Sequence, residues 1–293
     1  GKYIIKDLPV GTYTIQFSYV GFEKVTKTDV IIRSQRTTYL NVDLNPSTLE
    51  LENVVVESGY LHELENKPLG TVNFSSEEVR RAPGSAGDVS RILFGLPSLA
   101  KVNDSRNSLI VRGGSPIENT FYIDNIEIPN INHFPVEGSS DGPIGLLNVD
   151  FIEDVNFYSG GFSSIYGDRL SSIMDISFRE GAKDKFRPQA NLSMQGFGLS
   201  VEGPISDRGS YMVSASKSYL ELILDEKETG GALPSYGDGQ AKVVYNLDDD
   251  NKLTFLEVFS VDKINLTYEN ALDAELTDVY GKTDGITNVA GIN

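Results

Sequence analysis

The sequence predicts a mainly β fold in three stages: an N-terminal β-sandwich piece, a small mixed α+β unit, and a run of antiparallel strands with one apolar and one polar face. Three observations point there. Residues 1–45 alternate apolar and polar side chains in short runs broken at Pro9, Val10 and Gly11 and again at Val20 and Gly21. Residues 61–183 mix helix-start and helix-stop signals with short strands and glycine turns. From about Asp184 the alternation becomes longer and more regular.

In the first stage Tyr3 and Ile5, then Tyr13, Ile15, Phe17 and Tyr19, then Val30 and Ile32, then Tyr39, Leu40, Val42 and Leu44 read as half-buried strands at one end of a small sandwich. Residues 46–60 follow as a polar linker. Within it Val54, Val55 and Val56, flanked by Glu52 and Glu57, are β-prone. They suit an ordinary edge strand or linker, or a segment that adds itself to the sheet edge of a partner.

In the second stage Ser75, Ser76, Glu77 and Glu78 open a helix with Ser76 as its N-cap, and Ala82, Pro83 and Gly84 stop it. A second helix is expected over 85–96, where Val89, Ile92, Leu93 and Leu96 make one apolar face. Strands are expected at 109–114 (LIVRGG), at 121–129 (FYIDNIEIP) and at 152–158 and 172–178. The last two are joined by a loop carrying Gly160, Gly161 and Gly167. Residues 130–145, rich in Asn, Gly, Pro and Ser, are too polar and broken for core and are expected to be a loop.

In the third stage Leu192 and Met194 alternate with Asn191, Ser193 and Gln195. Tyr211, Val213 and Ala215 alternate with Ser210, Ser214 and Ser216, and Ala241, Val243, Tyr245 and Leu247 with Gln240, Lys242 and Asn246. This dyad pattern fits the first strands of a transmembrane antiparallel β-barrel, and equally a soluble sandwich. Connection lengths favour the barrel, with tight turns at 203–208 and 248–251 against a long Gly-rich excursion at 221–239. In the strand at 252–264 the alternation blurs at Phe255, Leu256, Val258 and Phe259, which predicts a bulge.

Composition narrows the chemistry. The 293 residues include no cysteine and two histidines, His62 and His133, which leaves no disulfide framework and almost no material for a zinc site or a histidine triad. With 42 acidic against 25 basic residues, the formal charge of -17 repels phosphate backbones and sets nucleic acid aside as a partner. Glu77 with Glu78, Glu153 with Asp154, and Asp248 with Asp249 and Asp250 read as caps and solvated turns, so no catalytic residue, metal site or cofactor is predicted. No run of about 18 apolar residues predicts a transmembrane helix. The opening GKYIIKDLPVG has no signal-peptide pattern and reads as mid-strand, so the chain is expected to be a segment of a longer precursor.

Four pieces in order carry a family resemblance: RILFGLPSLA (91–100), SLIVRGGS (108–115), FYIDNIEIP (121–129) and IEDVNFYSGGFSSIYGDRLSSIMDI (152–176). Together they resemble the plug domain of TonB-dependent outer-membrane receptors. Asn125 stands where that family usually has Gly, a substitution that still tolerates positive φ. GKYIIKDLPVGTYTIQFSYVGFEKV (1–25) is similar to the carboxypeptidase-regulatory-like domain found ahead of the plug in transporters of Bacteroidetes type, a fold name that implies no peptidase.

The resemblance implies residues 1–45 as the C-terminal part of that domain, 61–183 as plug and 184–293 as the first, truncated part of the barrel. About four strands cannot close a barrel of the roughly 22 that such receptors need, so the protein is expected to continue beyond Asn293. The resemblance also implies a place in the cell outer membrane with the N-terminal part periplasmic, and energy-coupled import of a nutrient ligand. TonB would grip Val54, Val55 and Val56 as the TonB box. Arg112 and Arg169 would latch the plug to barrel-wall carboxylates. An outward apex of Asn103, Arg106, Glu118, Asn130, Asn132, His133 and Phe134 would hold the ligand. Partners are then TonB, the ligand, outer-membrane lipid and, as an option, a surface lipoprotein. The competing reading is an outer-membrane assembly or adhesion scaffold that keeps plug and barrel without transport.

Overall fold

The computed structural model describes residues 3–6, 8–9, 11–32, 38, 40, 42, 44, 70–82, 88–100, 106–135, 142–193, 196–220, 232–248, 251–266, 268 and 281–293. They fall in two compact units, Gly1–Lys67 and Pro68–Asn293. In the first, β1 (Gly11–Phe17) and β2 (Val25–Ile32) pair antiparallel with Tyr13 opposite Val30, and burial along β1 alternates as its sequence does. Leu40, Val42 and Leu44, expected in a strand, lie outside any strand. Tyr39 and the whole linker at 46–60, with Val54, Val55 and Val56, lie outside the described residues.

The second unit opens with β3 (Thr71–Ser75), α1 (Ser76–Arg81), α2 (Val89–Leu93), β4 (Leu99–Ala100), β5 (Ile110–Val111), β6 (Asn119–Ile123), β7 (Ile126–Ile128), β8 (Asn132–His133), β9 (Ile144–Gly145), β10 (Ile152–Tyr158) and β11 (Ser172–Phe178). Five of these strands form one sheet in the order β3-β10-β11-β6-β7, with β11 and β6 parallel and the other pairs antiparallel. Its core holds Phe121, Ile123, Phe151, Val155, Phe157, Met174 and Ile176, with Val79 of α1 and Leu93 of α2 closing on it.

Local chemistry moves several predicted boundaries. Ser75, not Ser76, caps α1: its Oγ accepts from Glu78 N while its own N donates to Glu78 Oε2, a closed capping box. Of the second helix expected over 85–96, the described residues show Val89–Leu93, capped by Asp88 accepting from Ser90 N and ending three residues short of Leu96; residues 85–87 lie outside the described residues. The run at 121–129 is a hairpin, not one strand. Asp124 and Asn125 take φ of 49° and 65° and reverse the chain between β6 and β7, the primed-turn geometry that Asn and Asp tolerate. Asn132 and His133 pair with Gly145 and Ile144, so the region expected to be an unpacked loop contains a two-stranded piece with its first strand buried and its second half-buried.

Six wall strands follow: β12 (Arg187–Leu192), β13 (Gly196–Ser206), β14 (Gly209–Ser218), β15 (Ala232–Asn246), β16 (Lys252–Leu266) and β17 (Gly281–Ile292). Each pairs antiparallel with the next. The predicted Gly-rich excursion shortens, because Gly237 and Gly239 lie within β15, held by β14 on one side and β16 on the other.

One face of this meander is exposed and apolar: Leu192, Phe197, Leu199, Val213, Tyr245, Leu253, Phe255, Phe259, Ile286 and Ile292. The other is buried against the α+β unit and carries Ser200, Glu202, Ser210, Ser214, Gln240, Lys242, Thr254, Ser260 and Asp262. An outward greasy belt over an inward polar face is the arrangement of a barrel wall in lipid. β16 has no bulge, since its register runs unbroken on both sides. The alternation blurs because Leu256 and Val258 point inward and, with Met212, join the core of the α+β unit.

Candidate functional site

The chemistry-bearing residues concentrate where the α+β unit meets the inner face of the wall. Inward parity along β13, β15 and β16 puts Glu202, Tyr236, Asp238, Gln240, Lys242 and Asp262 there, and the turn at Asp207–Arg208 and the pairing of Asn246 with Lys252 fix which end of the wall each occupies.

Toward the end with long connections, His133 is wholly buried. Its Nδ1 lies 2.6 Å from Asp262 Oδ1, and Asp262 Oδ2 accepts the backbone N–H of Phe134 at 3.2 Å. Nε2 lies 3.4 Å from Asp238 Oδ2, an ion-pair distance without hydrogen-bond alignment. Tyr236 stacks on the imidazole at 4.2 Å between centroids, and Phe134 meets Tyr236 edge-on. Burial pushes the imidazole pKa down, but the two carboxylates outweigh it and leave the pKa raised.

Behind His133 a second polar network fixes the same segment. Asn130 Oδ1 accepts from Asn132 N at 2.8 Å, Asn132 Oδ1 accepts from Asn107 Nδ2 at 2.9 Å, and Asn107 Nδ2 also reaches Asp88 Oδ2 at 2.6 Å. Burial raises the Asp88 carboxyl, with the bonds from Ser90 and Asn107 opposing it.

Toward the tight-turn end the ties change character. Gln240 reads the main chain of the α+β unit as a strand would, donating to Leu146 O at 2.8 Å and accepting from Asn148 N at 3.1 Å. Lys242 pairs with Asp124 at 2.8 Å and donates to Phe178 O. Arg179 pairs with Glu202 and donates from Nε to Asp150 O at 2.7 Å. Lys252 meets Glu180 at 3.3 Å.

The predicted residues divide. Asn130, Asn132, His133 and Phe134 are brought together, but the first three are buried, not presented at an open apex, because their polar groups are satisfied by the network and by the wall. Arg106 is half-buried, next in the chain to Asn107 of that network, and Asn103 lies outside the described residues. Glu118 caps its own short turn, accepting from Ser115 N at 2.9 Å.

Neither predicted latch arginine reaches a wall carboxylate among the described residues. Arg112, at φ 49°, extends over Gly70 and Gly160, where added Cβ atoms would stand 2.9 Å and 3.1 Å from its guanidinium. Arg169 pairs instead with Glu127 of β7 at 2.9 Å. The described latches are Arg179 and His133, with Lys242 and Gln240 reaching back from the wall. Strand parity could have placed Glu202, Lys242 and Asp262 on the inner face; nothing in the sequence pairs them with Arg179, Asp124 or His133.

Residues 1–56 match the family model of the CarboxypepD_reg-like domain, and residues 64–172 match that of the TonB-dependent receptor plug domain. Val54, Val55 and Val56 close the first match. Among curated proteins the chain is similar to the TonB-dependent transporter Oar of Myxococcus xanthus, 26% identical over 189 residues, which cover 63% of this chain and 17% of that protein. Among solved structures it is similar to a variant of the ferric enterobactin receptor PfeA of Pseudomonas aeruginosa, with a TM-score of 0.50 and 13% identity over 77% of this chain and 38% of that one. The siderophore receptor PirA of the same bacterium gives 0.49 and 16% over 68% and 35%. The likeness to PfeA speaks for the fold alone. The chain thus spans about a sixth of the curated relative's length and under two fifths of either structure's. Nothing in these likenesses singles out a Bacteroidetes type.

Proposed function

We propose that the chain is part of a TonB-dependent receptor of the outer membrane, its N-terminal part on the periplasmic side, which serves energy-coupled import of a nutrient ligand with the plug gating the barrel lumen. One observation carries the reading: the plug is seated on the polar inner face of the wall by discrete ties, from His133 at one end to Arg179 and Lys252 at the other. A gate needs contacts that hold at rest and can be released one set at a time.

In this reading TonB engages Val54, Val55 and Val56 by β-augmentation and pulls on the chain ahead of β3. Ligand contact falls to Asn103, Arg106 and the half-buried ring of Phe134, while Asn130, Asn132 and His133 shape the segment that presents it. A latch role for Arg112 and Arg169 would require wall carboxylates beyond the described residues. The reading assigns the chain no catalysis. Ligand chemistry is set by residues other than those that seat the plug.

The test is deletion of Val54, Val55 and Val56 in the full-length receptor, scored by growth of the strain on candidate nutrients. Uptake should collapse while the receptor still reaches the outer membrane. Undiminished uptake, or a phenotype confined to assembly or adhesion, would replace the transporter with the scaffold reading.

A further inference from the structure

We propose that His133 is a protonation-dependent clasp between plug and wall: its imidazolium bridges Asp262 of β16 and Asp238 of β15, and loss of one proton undoes half of the bridge. The inference deepens the gate reading, resting on it only for the identity of plug and wall.

The argument begins with proton count. Both ring nitrogens face carboxylate oxygens, Nδ1 at 2.6 Å and Nε2 at 3.4 Å. A neutral imidazole carries one N–H, so it can donate to one carboxylate only and must turn a lone pair toward the other. The imidazolium turns an N–H toward each, hydrogen-bonded to Asp262 and at ion-pair distance from Asp238. The side chains are too confined to escape the mismatch. Asp262 is fixed by the Phe134 amide, Asp238 by Ser216 Oγ, and the ring by Tyr236 stacked on its face, a surface that itself favours a cation.

Among the described residues, the groups packed around the ring supply no competing positive charge. β15 contributes Asp238 and Tyr236, β16 contributes Asp262, β14 contributes Ser216, and the plug's own segment contributes Asn132 and Phe134. The carboxylates of Asp238 and Asp262 are the charges that bear on His133.

The sign follows. A histidine whose pKa is raised on docking adds its full grip below the undocked value, about 6.5, and loses it as pH rises through the docked value. Plug residues 131–135 should therefore hold the wall more tightly in mildly acidic than in mildly alkaline surroundings. Because Asp262 also takes the Phe134 amide, the backbone of the segment reports the state of the ring.

The experiment is hydrogen–deuterium exchange of peptides covering 131–135 in the full-length receptor in detergent, from pH 5.5 to 8.5, corrected for the intrinsic pH dependence of exchange. The wild type should lose protection by roughly tenfold or more across a single step, the scale of one charge-assisted hydrogen bond withdrawn. His133→Gln should give a profile without the step. Asp238→Asn, which keeps the Asp262 bond and so a docked segment, should move the step to lower pH and shrink it. A flat wild-type profile, or a step of unchanged size and midpoint in Asp238→Asn, overturns the clasp whether or not His133→Gln folds. No ligand or TonB enters the measurement, so it can fail while uptake succeeds, or succeed while uptake fails.

Discussion

Replacing Arg179 by Met removes the cation facing Glu202 while keeping most of the side-chain volume. The Glu202 side chain is 5% exposed and that of Arg179 25%. Stripping one partner from a buried ion pair costs about 3–5 kcal/mol. The part of the guanidinium still reached by solvent places this pair near the lower bound, about 3 kcal/mol, and loss of the bond from Nε to Asp150 O adds about 1 kcal/mol. A penalty of about 3–4 kcal/mol raises the population of the undocked joint by roughly 10²–10³-fold. By contrast Lys252→Met, which breaks the more exposed pair with Glu180, should cost under about 1 kcal/mol. Exchange protection and protease sensitivity of residues 176–186 in the full-length receptor would read the difference. The double variant Arg179→Met with Glu202→Gln should recover most of the loss, because no uncompensated charge stays buried. Opening that rises less than threefold in Arg179→Met, or a double variant as labile as the sum of the single ones, would refute the assignment of this pair as the main tie.

Three other substitutions probe separate features. At Gly181 a Cβ would fall inside the carbonyl of Tyr211, so Gly181→Ala should destabilise the joint between plug and wall by about 1–3 kcal/mol, read as a lower midpoint in denaturant titration. Val213 lies mid-strand on the exposed apolar face, and Val213→Arg should weaken folding into lipid by about 2–4 kcal/mol in equilibrium refolding into bilayers. Asn125, at φ 65°, should accept Gly almost neutrally, whereas Asn125→Val should cost about 1–2 kcal/mol, measured as lost exchange protection of β6 and β7.

Legibility in the sequence followed the range of the interactions. β10 and β11 stand where alternation and flanking glycines put them, because a strand buried on one face has a period that no partner needs to supply. The wall strands were legible for the same reason, except where Leu256 and Val258 break the inner polar face to meet the plug core. That exception is tertiary, and a period-2 reading takes it for a bulge. The segment from Asn130 to His133 misled in the opposite direction. Its polarity suggests solvent, yet Asn107 and Asp262 satisfy it from 25 and 129 positions away. Charge type placed Arg112 and Arg169 as latches, but reach decides such a role, and only Arg179 and His133 are aimed at carboxylates of the described wall.

Met212, Leu256 and Val258 belong to the wall by sequence and to the plug by packing. Lifting the plug out whole would wet all three, at about 1.5–3 kcal/mol each, or roughly 5–9 kcal/mol before the facing plug residues are counted. Among the described residues β3, by contrast, is an edge strand paired with β10, so tension entering there meets main-chain hydrogen bonds in succession instead of one large hydrophobic surface at once. Under a pull from the periplasm, unravelling that begins at Thr71 is the cheaper departure from the resting state, and ejection of an intact stopper the dearer one.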